Sequence, residues 1–269
     1  MRLSTISALC LAAGALEAQY SVWTPGPGQA VVTPVFVTQS FRDIWMGSHP
    51  MRLDDSVGQR TVLASFEVGM TNRIALDFTS GYSRVNSAAF GGPMADSGLT
   101  DTLLGVRWRL HRDLAIRVGG VVRGTYTPNY PFSAGDGGSG AEFSVLGGHT
   151  FGESGFSMFG DAGYRVRTRG VPPDVFGSAG VAKWLGAFAL SGTYRQARGL
   201  TGQDIGDPGF TFPQLREVHH TVEGGLTLHR GGSRSYQLFA ARTFQGRNTG
   251  RKTVVGMAVS FGFKMPWRR

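Results

Sequence analysis

The sequence holds one cysteine among 269 residues, few charged groups, and no long hydrophobic run beyond its first residues. Cys10 lies in a segment expected to be removed, so thiol and disulfide chemistry are excluded from the mature chain. Charged residues make up only 17%, against about a quarter in ordinary soluble domains, which argues against a helical bundle with solvated faces. After residue 19 no stretch of apolar residues reaches the ~18 that a membrane-spanning helix needs. Acidic residues are scarce too: 18 Asp and Glu against 27 Lys and Arg leave a net charge of +9. A basic surface attracts phosphate. The arginines, however, are scattered singly and no nucleic-acid-binding motif occurs, so nucleic acid is not an expected partner.

What is abundant is glycine, 41 residues, about twice ordinary usage. It shows no three-residue period, which excludes collagen, and 41% hydrophobic with 11% aromatic residues excludes disorder. The N-terminus reads as a secretory signal over 1–18: Met1-Arg2, an uncharged stretch Leu3–Leu16, then Ala18 before a cleavage point. Leu9 before Cys10 speaks against a lipid anchor. Residues 19–31 follow as a periplasmic N-terminal segment, and 32–269 as the folded unit.

Period-two alternation dominates that unit. Val62, Ala64, Phe66, Val68 and Met70 share one face opposite Thr61, Ser65, Glu67 and Gly69, with Leu63 the exception. Leu104, Val106, Trp108 and Leu110 oppose Gly105, Arg107 and Arg109, a strand with one greasy face and one charged face. Alternation and turn residues predict twelve strands, at about 32–45, 60–70, 74–85, 99–110, 114–126, 140–151, 155–168, 176–184, 188–199, 217–229, 234–246 and 252–264. Short turns (71–73, 111–113, 152–154, 185–187, 230–232) alternate with longer polar segments (46–59, 86–98, 127–139, 169–175, 200–216), 247–251 being a shorter one. That asymmetry predicts an all-β fold: a closed antiparallel up-and-down transmembrane β-barrel of about twelve strands, short turns periplasmic, in the outer membrane of a Gram-negative bacterium. Trp45, Tyr82, Trp108, Tyr126, Tyr164, Trp184, Tyr194, Phe261 and Phe263 are expected in its interfacial girdles. The last strand resembles the C-terminal signal read by barrel-assembly machinery, although the chain continues past Phe263.

The segment Phe66-Glu67-Val68-Gly69-Met70-Thr71-Asn72-Arg73-Ile74-Ala75-Leu76, the segment Ser97–Arg109 around Gly98-Leu99-Thr100-Asp101, and the later runs Val171-Pro172-Pro173-Asp174 and Gly246-Arg247-Asn248-Thr249 resemble motifs of one outer-membrane barrel family. That family carries the label of meta-pathway phenol-degradation proteins or transporters. The resemblance covers most of the mature chain. It implies a barrel that moves small, aromatic molecules, and it implies no catalytic residue.

Outward Leu104, Val106 and Trp108 place Arg107 and Arg109 in the lumen. The same parity puts Glu67, Asp77, Arg117, Arg123, Asp161, Arg165, Arg167, Arg195 and Glu223 there, leaving Glu142 and Lys183 unassigned. Two readings stay open. An excess of lumen arginine would favour anionic solutes; alternatively the acids pair with arginines across a narrow lumen and plug it. Tyr130 and Phe132 in 127–139, and Phe210 and Phe212 in 200–216, either fold into the mouth to contact a solute or stand as exposed loop. Arg84, Arg169, Arg198, Arg216, Arg247, Arg251 and Lys252 are expected to meet the phosphates of lipopolysaccharide.

Catalytic arrangements are thin. His219-His220 with Ser83 or Ser191, or His219 with Asp204 and Asp207, are the candidates, and no spacing selects them. Adjacent histidines on a strand point to opposite faces and cannot chelate together, and His149 and His229 complete no site. No metal or cofactor is expected. The reading is a passive channel, not an enzyme, with outer-membrane lipid, lipopolysaccharide, the assembly machinery and a small-molecule solute as partners. A closed barrel acting through its loops in adhesion or envelope structure is the alternative, and an outer-membrane hydrolase the third.

Overall fold

The computed structural model describes residues 21–88, 94–129, 133–230 and 233–266. Its strands are β1 (Gln29–Met46), β2 (His49–Gly69), β3 (Ile74–Ser87), β4 (Met94–Leu99), β5 (Thr102–His111), β6 (Leu114–Val122), β7 (Gly140–Phe151), β8 (Phe156–Arg167), β9 (Asp174–Leu185), β10 (Phe188–Gly199), β11 (Val218–Arg230), β12 (Arg234–Arg247) and β13 (Thr253–Lys264). Chain neighbours pair antiparallel, except that β4 and β5 both pair with β3. The sheet closes where β1 meets β13, from Gln29↔Lys264 to Ser40↔Thr253. β4 and β5 share one position beside β3, β4 facing Tyr82–Ser87 and β5 facing Ile74–Thr79, so the barrel has twelve staves. Closure pairs every stave on both sides, as a sheet in lipid requires.

The amphipathicity is inside out. Phe36, Val62, Phe78, Trp108, Val118, Leu190, Leu238 and Met257 are each 42–59% exposed on the exterior. Thr33, Thr61, Ser83, Arg107, Arg117, Ser144 and Thr227 on the interior are at most 2% exposed. This is the distribution a hydrocarbon surround selects. Pro34 faces outward on β1, and the β1–β13 pairing skips residues 33 and 34, where proline has no N–H to give; the Thr33 and Ser260 hydroxyls, 2.9 Å apart, bridge the gap.

The short turns gather at one end, here the turn end. Thr71 holds the first of them, its hydroxyl accepting from the N–H groups of Arg73 and Ile74. The other end differs from expectation. Segment 46–59 is not a loop: β1 and β2 continue to a tight turn at Gly47-Ser48, because Leu53 and Val57 pack on Phe41 and Ile44. Within 86–98, residues 86–87 still belong to β3 and 94–98 to β4. Two expected girdle aromatics also turn inward. Tyr126, past the end of β6, is 1% exposed and donates to Asp101 Oδ1 at 2.5 Å. Trp184 lies edge-on to His229, 6.1 Å between ring centres, and packs beside Phe159. Trp45 is half-buried at the loop end, while Tyr82, Trp108, Tyr164, Tyr194, Phe261 and Phe263 face outward.

Candidate functional site

The lumen is layered along the barrel axis. At the turn end the chain ahead of β1 folds back inside: Gly28 N–H donates to the Gly69 carbonyl (2.7 Å), and Val22 packs against Ala115 and Leu146. Trp23 sits edge-on to Phe159 at 6.5 Å. Gly148 makes the room, since a Cβ there would stand 2.8 Å from Val22 and 3.0 Å from the Trp23 ring. Arg107 Nη1 anchors the segment by donating to the Ser21 carbonyl at 2.8 Å.

The middle layer is a chain of ion pairs across six successive staves. Glu67 on β2 meets Arg107 on β5, whose Nε lies 3.3 Å from Asp77 on β3. Arg117 on β6 grips Asp77 through Nε (3.0 Å) and Nη2 (2.7 Å) and reaches Glu142 on β7, which also accepts from Arg165 Nε on β8 at 2.8 Å. Three arginines and three carboxylates balance. Planar guanidinium forks suit this, Arg107 and Arg117 each facing two carboxylates at once. Arg117 lies flat because its strand neighbours are glycines: a side chain at Gly105 or Gly119 would collide with the guanidinium.

Above this layer a cavity of about 390 Å³ opens toward the loop end. Its two walls differ. Val35, Leu63, Phe239 and Val254 form an apolar wall on β1, β2, β12 and β13. Opposite stand Arg165, Arg167 and Arg195, with Phe176 beneath Arg165 at 4.7 Å. Arg167 pairs with Asp136 (2.7 Å) and Asp174 (2.9 Å), and Arg195 with Glu223 (3.5 Å). The Arg167 guanidinium holds the Asp136 carboxyl below its ordinary range. Burial, then Asp101, pushes the Tyr126 hydroxyl up.

Glu67, Asp77, Arg107, Arg117 and Arg165 are therefore gathered in one network, and Arg167, Arg195 and Glu223 line the cavity above it. Asp161 accepts from the Ser178 hydroxyl below. Arg123 stands at the loop end over the Tyr126 ring, 6.0 Å from its centre. Arg109 sits at the turn-end rim and donates to the Asn72 carbonyl. Phe212 lines the cavity and Phe210 packs edge-on against it, 5.0 Å between centres. Tyr130 and Phe132 lie outside the described residues. Sequence parity missed the carboxylates of Asp136 and Asp174, which sit in a loop and at a strand tip, and left Glu142 open. It also missed the apolar wall, because inward valines carry no signal; Leu63, the exception to alternation, was its one trace.

Of the catalytic candidates, Ser83 is fully buried and held by Gln59 Nε2 (2.7 Å) and Thr61 (2.9 Å). His220 faces outward against the Tyr194 hydroxyl, while His219 lines the cavity. Asp204 is bound by Arg247 and Asn248 at the loop end. The structure does not bring these groups together. Among the described residues no three metal-ligating side chains cluster.

No family model and no curated protein matches the chain. Solved structures do. An outer-membrane channel from Pseudomonas putida F1 superposes with a TM-score of 0.74 at 13% identity, over 93% of this chain and 98% of that one. The translocator domain of the autotransporter NalP from Neisseria meningitidis (TM-score 0.55, 11% identity, 88% of each chain) and LpxR from Salmonella typhimurium (0.55, 9% identity, 85% and 99%) follow the same architecture. The fold is that of an outer-membrane β-barrel.

Proposed function

We propose that this barrel is an outer-membrane channel for small solutes that join an aromatic or apolar body to an anionic group. One observation carries the reading: the lumen cavity has an apolar wall and, opposite it, a wall of arginines interleaved with carboxylates. A solute with both characters satisfies both walls, and a purely hydrophilic one leaves the apolar wall wetted. The similarity to a protein described as an outer-membrane channel agrees with it, as does the resemblance to the phenol-degradation family. Because the arginines are mostly paired, their net field is modest, and ion selectivity is expected to be mild. The turn end is filled by residues 21–28 and the ion-pair layer, so a solute has to cross a packed, charged constriction there.

The test is single-channel recording of the refolded protein in a planar bilayer, with a reversal potential in a salt gradient and benzoate as the solute probe. Small discrete steps with mild anion preference, blocked by benzoate, are expected. Arg165→Gln should move the reversal potential toward cations. Correctly folded barrels that stay silent, or steps that benzoate leaves untouched in protein and variant alike, would overturn the proposal.

A further inference from the structure

The exterior carries a second chemical feature, independent of the lumen. In register across four staves, Thr38 on β1 pairs with Arg60 on β2, Arg60 with Arg84 on β3, and Arg84 with Ser97 on β4. Their neighbours Gln59, Thr61 and Ser83 are buried inside, so this row points outward. The next outward row toward the turn end is Phe36, Val62, Tyr82 and Leu99, each 42–55% exposed. The next row toward the loop end is Ser40, Gly58, Asn86 and Ala95, which carries no charge. Two guanidinium groups thus stand directly opposed at the edge of the apolar belt, flanked by two hydroxyls.

Like charges directly opposed across strands repel. At three other loop-end positions the chain supplies its own carboxylates, Asp204 for Arg247, Glu217 for Lys252, and Asp136 for Arg167. Neither Arg60 nor Arg84 makes an ion pair among the described residues. A planar, paired cation at the belt edge matches a tetrahedral phosphate accepting two forked contacts. A headgroup phosphate there would leave its acyl chains lying on the aromatic and aliphatic row beneath.

We propose that Arg60 and Arg84, flanked by Thr38 and Ser97, bind a lipid A phosphate of lipopolysaccharide whose acyl chains rest on Phe36, Val62, Tyr82 and Leu99. The proposal rests on the exterior being lipid-facing with the loop end outermost, and not on transport through the lumen. It also revises the expected phosphate contacts: Arg247 and Lys252 are engaged internally, and Arg60, absent from that expectation, joins Arg84.

A second opposed pair, Arg230 and Arg234 on β11 and β12, sits at the turn end, where Arg234 is flanked by Phe261 and no hydroxyl row. It is the built-in control. The test is native mass spectrometry of the refolded protein in detergent, titrated with bisphosphorylated lipid A, dephosphorylated lipid A and inorganic phosphate. One lipid A should bind, at least tenfold more weakly to R60Q/R84Q and less than twofold more weakly to R230Q/R234Q. Dephosphorylated lipid A should bind at least tenfold more weakly, and equimolar inorganic phosphate should not displace the lipid. Heat-shifted gel migration confirms folding, with R60A/R84A substituted if the glutamine variant misfolds. A loss under threefold in R60Q/R84Q, equal losses in both double variants, or displacement by inorganic phosphate would overturn the assignment. None of these readouts depends on conductance, so failure here and failure of the channel reading are separable.

Discussion

The wall of the lumen built by β3 and β5 to β8 and the wall built by β1, β2, β12 and β13 fill the same barrel with opposite chemistry. The first packs charge: Asp77, Arg107, Arg117, Glu142 and Arg165, closed by Glu67 from β2. The second packs Val35, Val37, Leu63, Phe239, Ala241, Val254 and Ala258. Both rely on glycine for room, Gly105 and Gly119 under the Arg117 fork, Gly256 under the Phe239 ring. The difference lies in what each wall tolerates. Ion pairs out of water are tightly interdependent, because removing one partner strands another. Apolar contacts fail in proportion to the atoms removed.

The largest effect is therefore expected on the charged wall. Arg117→Met takes from Asp77 its two-pronged partner, leaving Arg107 Nε at 3.3 Å, and from Glu142 one of its two arginines, and should cost about 3–5 kcal/mol, read as a lowered urea midpoint of the refolded barrel in detergent micelles. On the apolar wall Phe239→Ala should fall near the low end of the roughly 3–5 kcal/mol for such truncations, since the ring borders a cavity and leaves less new void. It should not move ion preference. If Phe239→Ala proves the more damaging of the two, the contrast between interdependent and additive walls is broken. Gly256→Val sharpens it at smaller cost. The new side chain overlaps the Phe239 ring and drives it into the cavity, costing about 1–3 kcal/mol and reducing whatever conductance the barrel shows.

The two walls were not equally legible in the sequence. Charged residues at inward parity announce themselves, because no lipid-facing role competes for Arg107 or Asp77, and the fold class followed from the same alternation. Apolar residues at inward parity look like errors in the pattern. Leu63 interrupts the alternation of β2 because it belongs to the cluster of Val35 and Phe239, which lie far from it in sequence. Tyr126 misled for a similar reason: a tyrosine at a strand end fits a girdle equally well, and only the hydrogen bonds of its hydroxyl, donated to Asp101 and accepted from the Gly137 N–H, send it inward. The extended hairpin at 46–59 was hidden because its polar residues read as loop, although Leu53 and Val57 pin it as strand.

The smallest predicted effect separates the charged wall from the loops above it. Asp136 belongs to the connection between β6 and β7, and its carboxylate lies 2.7 Å from Arg167. Arg167 lowers its pKa most, burial opposes this, and Arg165 and Lys252 lower it further. A carboxyl depressed in the folded state contributes stability that is fully present above its unfolded value of about 3.9 and is lost as pH falls through the lower folded value. The protection of amide hydrogens near Gly135–Gly138, relative to an unstructured chain at the same pH, should be high at neutral pH and fall in the acid range below about 4. Asp136→Asn should lower that protection already at neutral pH and remove its acid dependence. The ion-pair layer below should keep its protection in the Asn variant, since Arg117 and Glu142 do not depend on the loop. Loss of protection in both places at once would mean that the mouth and the charged wall open as one unit.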